Sequence, residues 1–259
     1  MSKKLILGLL YVWSMVWMLP ARGFSQVINI PLGGGIPQAK TRDELDAFGA
    51  IYDHAEPPMV VQAVSDFARR FPDSVFLEYA DMAAMHAYGE LGDRNASRTM
   101  AQSVLKFNPN NVDALLTLAQ LTLDDSSIRP DKAAQWSQAG NYARQGIAEL
   151  DRYTLPVLAD RQRWLRTKRD FLGRGYCILG RLAFHQGDLD GAVSNLQKAI
   201  NINPLGDYFY YQGLAFKAKG QPEQARASLV QAMSLGPEPV RRSAAHEIEN
   251  LGMERKSQR

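Results

Sequence analysis

Three side chains in the last third of the chain have the types and spacing of a metal-binding or catalytic cluster. His185 lies three residues before Asp188 and five before Asp190, within the segment GRLAFHQGDLDGAVSNLQKAININP. An imidazole and two carboxylates can bind a divalent cation or transfer protons. The same residues also suit a turn between two helices, with Asp188 as the cap of the second helix and Asp190 in its first turn. The elements around them decide between the two interpretations.

Other residues that carry chemistry are dispersed. The chain has four histidines and one cysteine, Cys177, so neither an intramolecular disulfide nor a multi-cysteine zinc site can form. The glycine run 33–35 lacks the GxxxxGK spacing of a phosphate-binding loop. No nucleophile or paired-carboxylate motif accompanies the histidines. We therefore expect a non-enzymatic protein with no catalytic residue, no metal and no cofactor.

Composition indicates a globular chain. It has 259 residues, of which 46% are hydrophobic and 22% are charged, and its net charge is +3. A chain of this length can bury one large core or two modest ones. The charge is too small to indicate a nucleic-acid partner, and none is expected.

The first 25 residues resemble a secretory signal. Lysines 3 and 4 precede an uncharged run from Leu5 to Pro20, and small residues follow it, which is the order of such signals. An uncleaved anchor is the alternative, although this run rises only about 24 Å as a helix, short of the roughly 20 residues that a span needs. Either form predicts an exported protein, periplasmic or anchored at the outer face of the inner membrane, with membrane contact only through residues 5–20. Residues 26–40, where two prolines bracket three glycines, are predicted to be a flexible linker.

From Thr41 onward the apolar residues recur at helical spacing and in a repeated pattern. Three segments begin with glycine and end with proline seventeen positions later, at residues 92–109, 187–204 and 220–237. Five residues recur after thirty-three positions: Gly180, Gly187, Ala192, Ala199 and Pro204 become Gly213, Gly220, Ala225, Ala232 and Pro237. This register predicts pairs of helices joined by short turns.

Each repeated residue has a physical role in such a pair. Small residues allow two helices to cross closely, as at Gly180 and Ala192. Gly187 can adopt the left-handed conformation that ends the first helix, and Asp188 then caps the second. Pro204 ends that second helix. The cluster around His185 is therefore interpreted mainly as a helix turn.

These positions resemble the tetratricopeptide repeat family, whose unit has an aromatic residue, a Leu-Gly pair, two alanines and a proline. The matching residues are Tyr176, Leu179, Gly180, Ala192, Ala199 and Pro204, followed in the next unit by Gly213, Ala225, Ala232 and Pro237. The resemblance implies an all-α, right-handed superhelical solenoid of about five helix-turn-helix units. The units are expected at residues 41–74, 78–111, 112–150 with an insertion, 173–206 and 206–238. A long helix at 157–172 leads into the fourth unit, and 239–259 form a capping helix with a basic tail.

The resemblance implies a protein-protein interaction scaffold whose first helices line a groove. The residues at the family's groove positions are Tyr79, Met82, His86, Leu116, Gln120, Arg174, Arg181, Phe184, His185, Tyr210 and Lys217. Their mixture of aromatic and basic side chains favours a protein or peptide segment that bears carboxylates. Cys177 and Ile178 replace residues of the family's carboxylate clamp, which disfavours a receptor for chaperone tails. The sequence also leaves open whether copies of the chain associate with one another.

The basic and aromatic stretch at residues 160–176 supports an alternative function. It contains several arginines beside Trp164 and Phe171 and could bind an anionic lipid, glycan or other polymer. Trp164 and Phe171 are seven residues apart and can also pack inward together, which would leave the arginines as a solvated helix face.

Overall fold

The computed structural model describes residues 38–125, 132–152 and 160–257. All eleven regular elements in these ranges are α-helices, which confirms the predicted fold class. Packing divides the described residues into an N-terminal unit that ends at Phe171 and a C-terminal unit that begins at Leu172. The predicted signal or anchor and residues 26–37 of the predicted linker lie outside the described ranges and stay predictions.

The helices follow one another with short connections. They are α1 (Arg42–Asp53), α2 (Pro57–Arg70), α3 (Leu77–Glu90), α4 (Arg94–Phe107), α5 (Val112–Asp125), α6 (Lys132–Arg152), α7 (Arg161–Gln186), α8 (Leu189–Ile202), α9 (Gly206–Ala218), α10 (Pro222–Leu235) and α11 (Glu238–Ser257). The expected long helix at 157–172 is not separate from the fourth repeat, because α7 continues without a break to Gln186. Residues 126–131, part of the predicted insertion, lie outside the described ranges. None of the described helices has the length and apolar composition needed to cross a membrane.

The N-terminal unit has an aromatic core at its start. Phe48 stacks on Phe76 with ring centroids 4.4 Å apart, and Phe67 lies 5.8 Å from Phe48. Aromatic pairs at these distances stabilise a core beyond the effect of their buried area. A second cluster joins α3, α4 and α5 around Met85 and Leu118. These contacts hold α3 and α5, which carry five of the eleven predicted groove residues.

The C-terminal unit repeats one close helix crossing. A Cβ atom added at Gly180 would lie 2.6 Å from Leu196 Cγ, and one added at Gly213 would lie 2.7 Å from Leu229 Cγ. These are equivalent contacts thirty-three residues apart, between α7 and α8 and between α9 and α10. A side chain at either glycine would separate the helices. The four alanines of the repeat register are fully buried: Ala192, Ala199, Ala225 and Ala232.

One buried position departs from the repeat pattern in a way that the structure explains. Gln212 is 4% exposed and occupies the place of the family's leucine. Its Nε2 donates to Gln197 Oε1 at 2.9 Å, and its Oε1 accepts from Ser228 Oγ at 3.0 Å. Both ends of the amide are therefore satisfied, as a buried polar side chain requires. The hydrogen bonds link α8, α9 and α10.

Two of the three turns that begin with a repeated glycine have side-chain caps, from Asp93 and Asp188, whereas Gln221 before α10 makes no side-chain cap hydrogen bond. Gly92, Gly187 and Gly220 have φ values of 74°, 81° and 71°, in the left-handed region that glycine tolerates. Asp188 Oδ1 accepts from the backbone N–H of Gly191 at 2.9 Å. Asp93 caps α4 in the same way. Asp188 is therefore a structural cap of α8, as the second of the two interpretations of the cluster around His185 predicts.

Replacing Asp188 with alanine should lower the free energy of unfolding by about 1 kcal/mol, because the first turn of α8 loses its cap. Urea denaturation followed by circular dichroism measures this change. Asp190→Ala is the matched control: Asp190 is exposed, lies in the first turn of α8 and pairs at the surface with Lys219, contacts that are together worth about 0.5 kcal/mol. Equal effects of the two substitutions would contradict the assignment of Asp188 as the cap.

Candidate functional site

The predicted groove residues of the N-terminal unit are divided between surface and core. Tyr79, Met82 and His86 on α3 are partly exposed. Leu116 on α5 is fully buried, and a Cβ atom on Gly146 would lie 3.2 Å from its Cδ2. Leu116 therefore belongs to the core between α5 and α6 instead of a binding surface. Gln120 is partly exposed and donates to Asp124.

His86 forms the closest polar contact on this face. Its Nε2 lies 2.6 Å from Asp113 Oδ2, and the Asp113 side chain is only 5% exposed. Glu90 follows His86 by one helical turn. Partial burial raises the pKa of the Glu90 carboxyl, and the nearby His86 acts in the opposite direction. The face of α3 and α5 thus brings one imidazole and two carboxyl groups together.

In the C-terminal unit, α7 presents three of the predicted residues. Arg174, Phe184 and His185 are partly exposed, and the rings of Phe184 and His185 meet edge to face at 5.9 Å. Arg174 precedes Phe184 by ten residues, about 15 Å along the helix, so α7 could bind a carboxylate and an apolar side chain at separate points of one extended segment. These three side chains form the α7 patch.

Arg181 does not belong to this patch. It is 5% exposed, and its guanidinium carbon lies 4.5 Å from the centroid of the Tyr211 ring. Asp207 is its electrostatic partner. Burial raises the pKa of the Asp207 carboxyl, and the positive charge of Arg181 opposes that shift. Arg181 therefore joins α7 to α9 inside the unit, and a partner protein has little access to it.

Two further predicted residues are engaged within the C-terminal unit. Tyr210 is 5% exposed and packs in a cluster with Val240 and Ala244. Lys217 Nζ forms an ion pair with Glu247 Oε2 at 2.8 Å. Helix α11 thus covers Tyr210 and neutralises Lys217. Of the three basic side chains expected to bind carboxylates, Arg174 is the one that stands in the partly exposed α7 patch.

No candidate metal site emerges from the described residues. Within those ranges no group of three His, Cys, Asp or Glu side chains could hold a metal ion. His185 faces Phe184, Asp188 caps α8, and Asp190 pairs with Lys219. The three residues that first drew attention therefore have separate roles.

Comparison with known families agrees with the observed repeat. Residues 173–204 match the tetratricopeptide repeat family. The chain has a tetratricopeptide-repeat fold. Comparison with curated protein sequences gives no match.

Solved tetratricopeptide-repeat structures resemble the chain at low sequence identity. MamA 41-end from Desulfovibrio magneticus RS-1 is 17% identical, with a TM-score of 0.54 over 77% of this chain and 97% of its own. A thermophilic tetratricopeptide-repeat protein of Thermus thermophilus is 13% identical, with a TM-score of 0.55 over 79% and 97%. YrrB, described as having an unusual peptide-binding site, is 16% identical, with a TM-score of 0.51 over 89% and 100%. Identities this low establish a shared tetratricopeptide-repeat fold alone.

Asp113, a carboxylate of the tetratricopeptide-repeat units, was missed by the sequence analysis as a site residue. Asp113 and Asp207 each occupy the second place of a unit, where the family's groove residues stand, and this position indicates Asp207 as a groove residue from the sequence. The same position could have indicated Asp113. The pairing of Asp113 and Asp207 with His86 and Arg181 required the structure, because each partner lies on the preceding first helix, more than twenty residues earlier in the chain.

Proposed function

We infer that this chain is an exported, non-enzymatic scaffold that binds other proteins through the first helices of its repeats. The fold supports a role in protein interaction, and the similar YrrB is described as having a peptide-binding site. The observation that carries the proposal is the α7 patch, where Arg174, Phe184 and His185 are partly exposed beside a well-packed repeat. Rigid elements that present aromatic and arginine side chains are typical of binding surfaces.

The partner proposed for the α7 patch is a peptide segment that bears a carboxylate. Arg174 can bind a carboxylate through two parallel N–H groups, while the Phe184 ring, about 15 Å farther along α7, contacts an apolar side chain elsewhere in the same segment. Lys217 and Arg181 contribute less than the sequence indicates, because Glu247 and Asp207 already oppose their charges. Arg174 is partly exposed, so the proposal concentrates recognition on it.

Export is the second part of the proposal, and it rests on the order of basic, apolar and small residues in positions 1–25. The scaffold would then act in the periplasm or at the outer face of the inner membrane. Cell fractionation of a C-terminally tagged chain tests this location. Recovery of the protein in the cytoplasmic fraction would contradict export.

Affinity capture after crosslinking in cells tests the scaffold function. Arg174→Glu should reduce the recovery of a specific partner about tenfold, since a bidentate arginine contact is lost and a like charge replaces it. Arg226→Glu makes the same charge change at an exposed position of α10 and should leave recovery unchanged. Arg181→Glu is unsuitable, because burying a carboxylate there would disturb packing. Equal capture by all forms, or no captured protein, would contradict the proposal.

The anionic-ligand alternative has weaker support. Arg161, Arg166 and Arg169 at the start of α7 are exposed, which suits a negatively charged surface. Trp164, however, is 6% exposed, so its ring is not available for stacking on a ligand. Lys168 pairs with Asp151 at 3.2 Å. Binding of an anionic ligand therefore depends on charge alone and is the second candidate function after the protein-binding scaffold.

A further inference from the structure

Acidic and basic residues are segregated by helix in α1–α5. The first helices of the pairs, α1, α3 and α5, contain ten Asp and Glu residues and one basic residue, Arg42. The second helices, α2 and α4, contain five basic residues and one acidic residue, Asp66. The first helices therefore carry a large excess of negative charge, and six of the ten acidic residues lie on α3 and α5, which hold the predicted groove residues of the N-terminal unit.

The basic residues of these helices are already engaged by acidic ones. Arg70 binds Asp43 at 2.8 Å, which joins α2 to α1. Arg94 and Arg98 both bind Asp125, which joins α4 to the end of α5. The remaining three contacts are Arg42 with Asp46, Arg69 with Asp66 and the electrostatic contact of Lys106 with Asp81. No lysine or arginine of α1–α5 therefore remains to offset the other carboxylates.

Part of this acidic surplus lies on the face of α3 and α5. Glu78, His86 and Glu90 occupy α3, and Asp113 faces His86 from α5. Partial burial raises the pKa of the Glu90 carboxyl and the nearby His86 opposes that shift, so a further cation beside Glu90 would stabilise its charged form. Tyr79 and Met82 are partly exposed on the same helix. Their side chains can contact the methylene stem of a lysine or arginine while its charged end reaches a carboxylate.

We propose that the face of α3 and α5 is a docking surface for a lysine- or arginine-rich segment of a partner protein. This inference rests on the proposed scaffold function and gives the N-terminal unit a partner of opposite charge to the one proposed for the α7 patch. Glu90 is the main contact for the cation, because it is exposed and acidic, and the lysines and arginines of α1–α5 are engaged by other carboxylates. Glu78 extends the negative charge toward the start of α3, where its Oε1 accepts from the side-chain amides of Asn108 and Asn111.

Fluorescence anisotropy with two labelled peptides tests this surface on the full chain. One probe has four Lys-Ala-Ala repeats and the other has four Glu-Ala-Ala repeats. The lysine peptide should bind at least about tenfold more tightly at roughly 50 mM NaCl, and about 300 mM NaCl should weaken it severalfold by screening. Glu90→Gln should weaken it about threefold and Glu90→Lys about tenfold or more, since the second change reverses the charge.

Glu249 supplies the matched control, because it is an exposed glutamate on α11 in the other unit. Glu249→Gln and Glu249→Lys make the same changes in net charge and should leave the lysine-peptide affinity within about 1.5-fold of the parent value. Circular dichroism confirms that all variants retain their helices. Equal weakening by the Glu90 and Glu249 pairs would overturn the proposal, because binding would then follow net charge alone.

The remaining outcomes separate this inference from the scaffold function. If the glutamate peptide binds tightly and Arg174→Glu abolishes that binding, the scaffold function is supported and the proposal of a basic partner is overturned. If neither peptide binds but capture in cells depends on Arg174, the scaffold function is likewise supported and the basic partner is overturned. If sedimentation velocity shows that the chain self-associates and that Glu90→Lys abolishes this association, the face of α3 and α5 binds a second copy of the chain. The proposal of a separate basic partner is then overturned.

Discussion

Replacing Ala232 with glutamate is expected to unfold the C-terminal unit. Ala232 is fully buried and packs with Leu229 and Val240 between α10 and its neighbours. The larger side chain costs about 1–3 kcal/mol through overpacking, and an unpaired buried carboxylate adds several kcal/mol. The sum is comparable with the whole stability of a typical domain, about 5–15 kcal/mol. Thermal unfolding followed by circular dichroism should show the loss of one transition or a decrease in Tm of more than about 15 °C.

Ala227 provides the control for this substitution within the same helix. It is exposed on α10, so Ala227→Glu should change the free energy of unfolding by less than about 0.5 kcal/mol. Ala199→Glu on α8 is expected to reproduce the severe effect, because Ala199 is equally buried at the equivalent repeat position. Unchanged unfolding of both the Ala232 and Ala199 variants would refute the close-packed repeat.

Replacing Gly206 with alanine should destabilise the same unit by about 2–3 kcal/mol. A Cβ atom at this position would lie 2.3 Å from both the Cα and the N atom of Gly236. Both are backbone atoms, so no side chain can rotate away, and the start of α9 must move from the end of α10. Urea denaturation of the purified chain measures the change.

Replacing Gly252 with alanine is expected to stabilise the unit, in contrast to the same replacement at Gly206. Gly252 lies within α11, and a Cβ atom there would meet no atom within 4 Å. Gly252→Ala should therefore stabilise the unit by up to about 1 kcal/mol, because alanine has the higher helix propensity. If Gly206→Ala were also stabilising, the close approach of Gly206 to Gly236 would not exist in the folded protein.

The sequence analysis predicted the residues whose roles depend on local spacing. Asp188 was expected to cap a helix and does so. Gly180 and Ala192 were expected at a close crossing, and Gly180 lies against Leu196 and the Ala192 carbonyl. These predictions succeed because a helix brings residues three and four apart to one face, and because the same register recurs thirty-three residues later.

The sequence analysis predicted the exposure of the candidate-site residues less well. Arg181 and Tyr210 have the right positions for a groove, yet both are buried. Lys217 has the right charge, yet Glu247 from α11 pairs with it. A position rule identifies the face of a helix on which a residue lies, but it does not show which side chain of another helix reaches it. Exposure of a groove residue is therefore a property of the packed unit.

The sequence by itself determined the helices, their caps, the small residues at the crossings and the repeat family. The tertiary structure decided which charges are compensated, where Gly206 meets Gly236, and which predicted groove residues a partner can reach. The physical reason is the range of the interactions. Helix periodicity and capping act over a few residues and leave a visible pattern, whereas ion pairs such as Lys217–Glu247 join residues thirty positions apart and depend on how the helices pack.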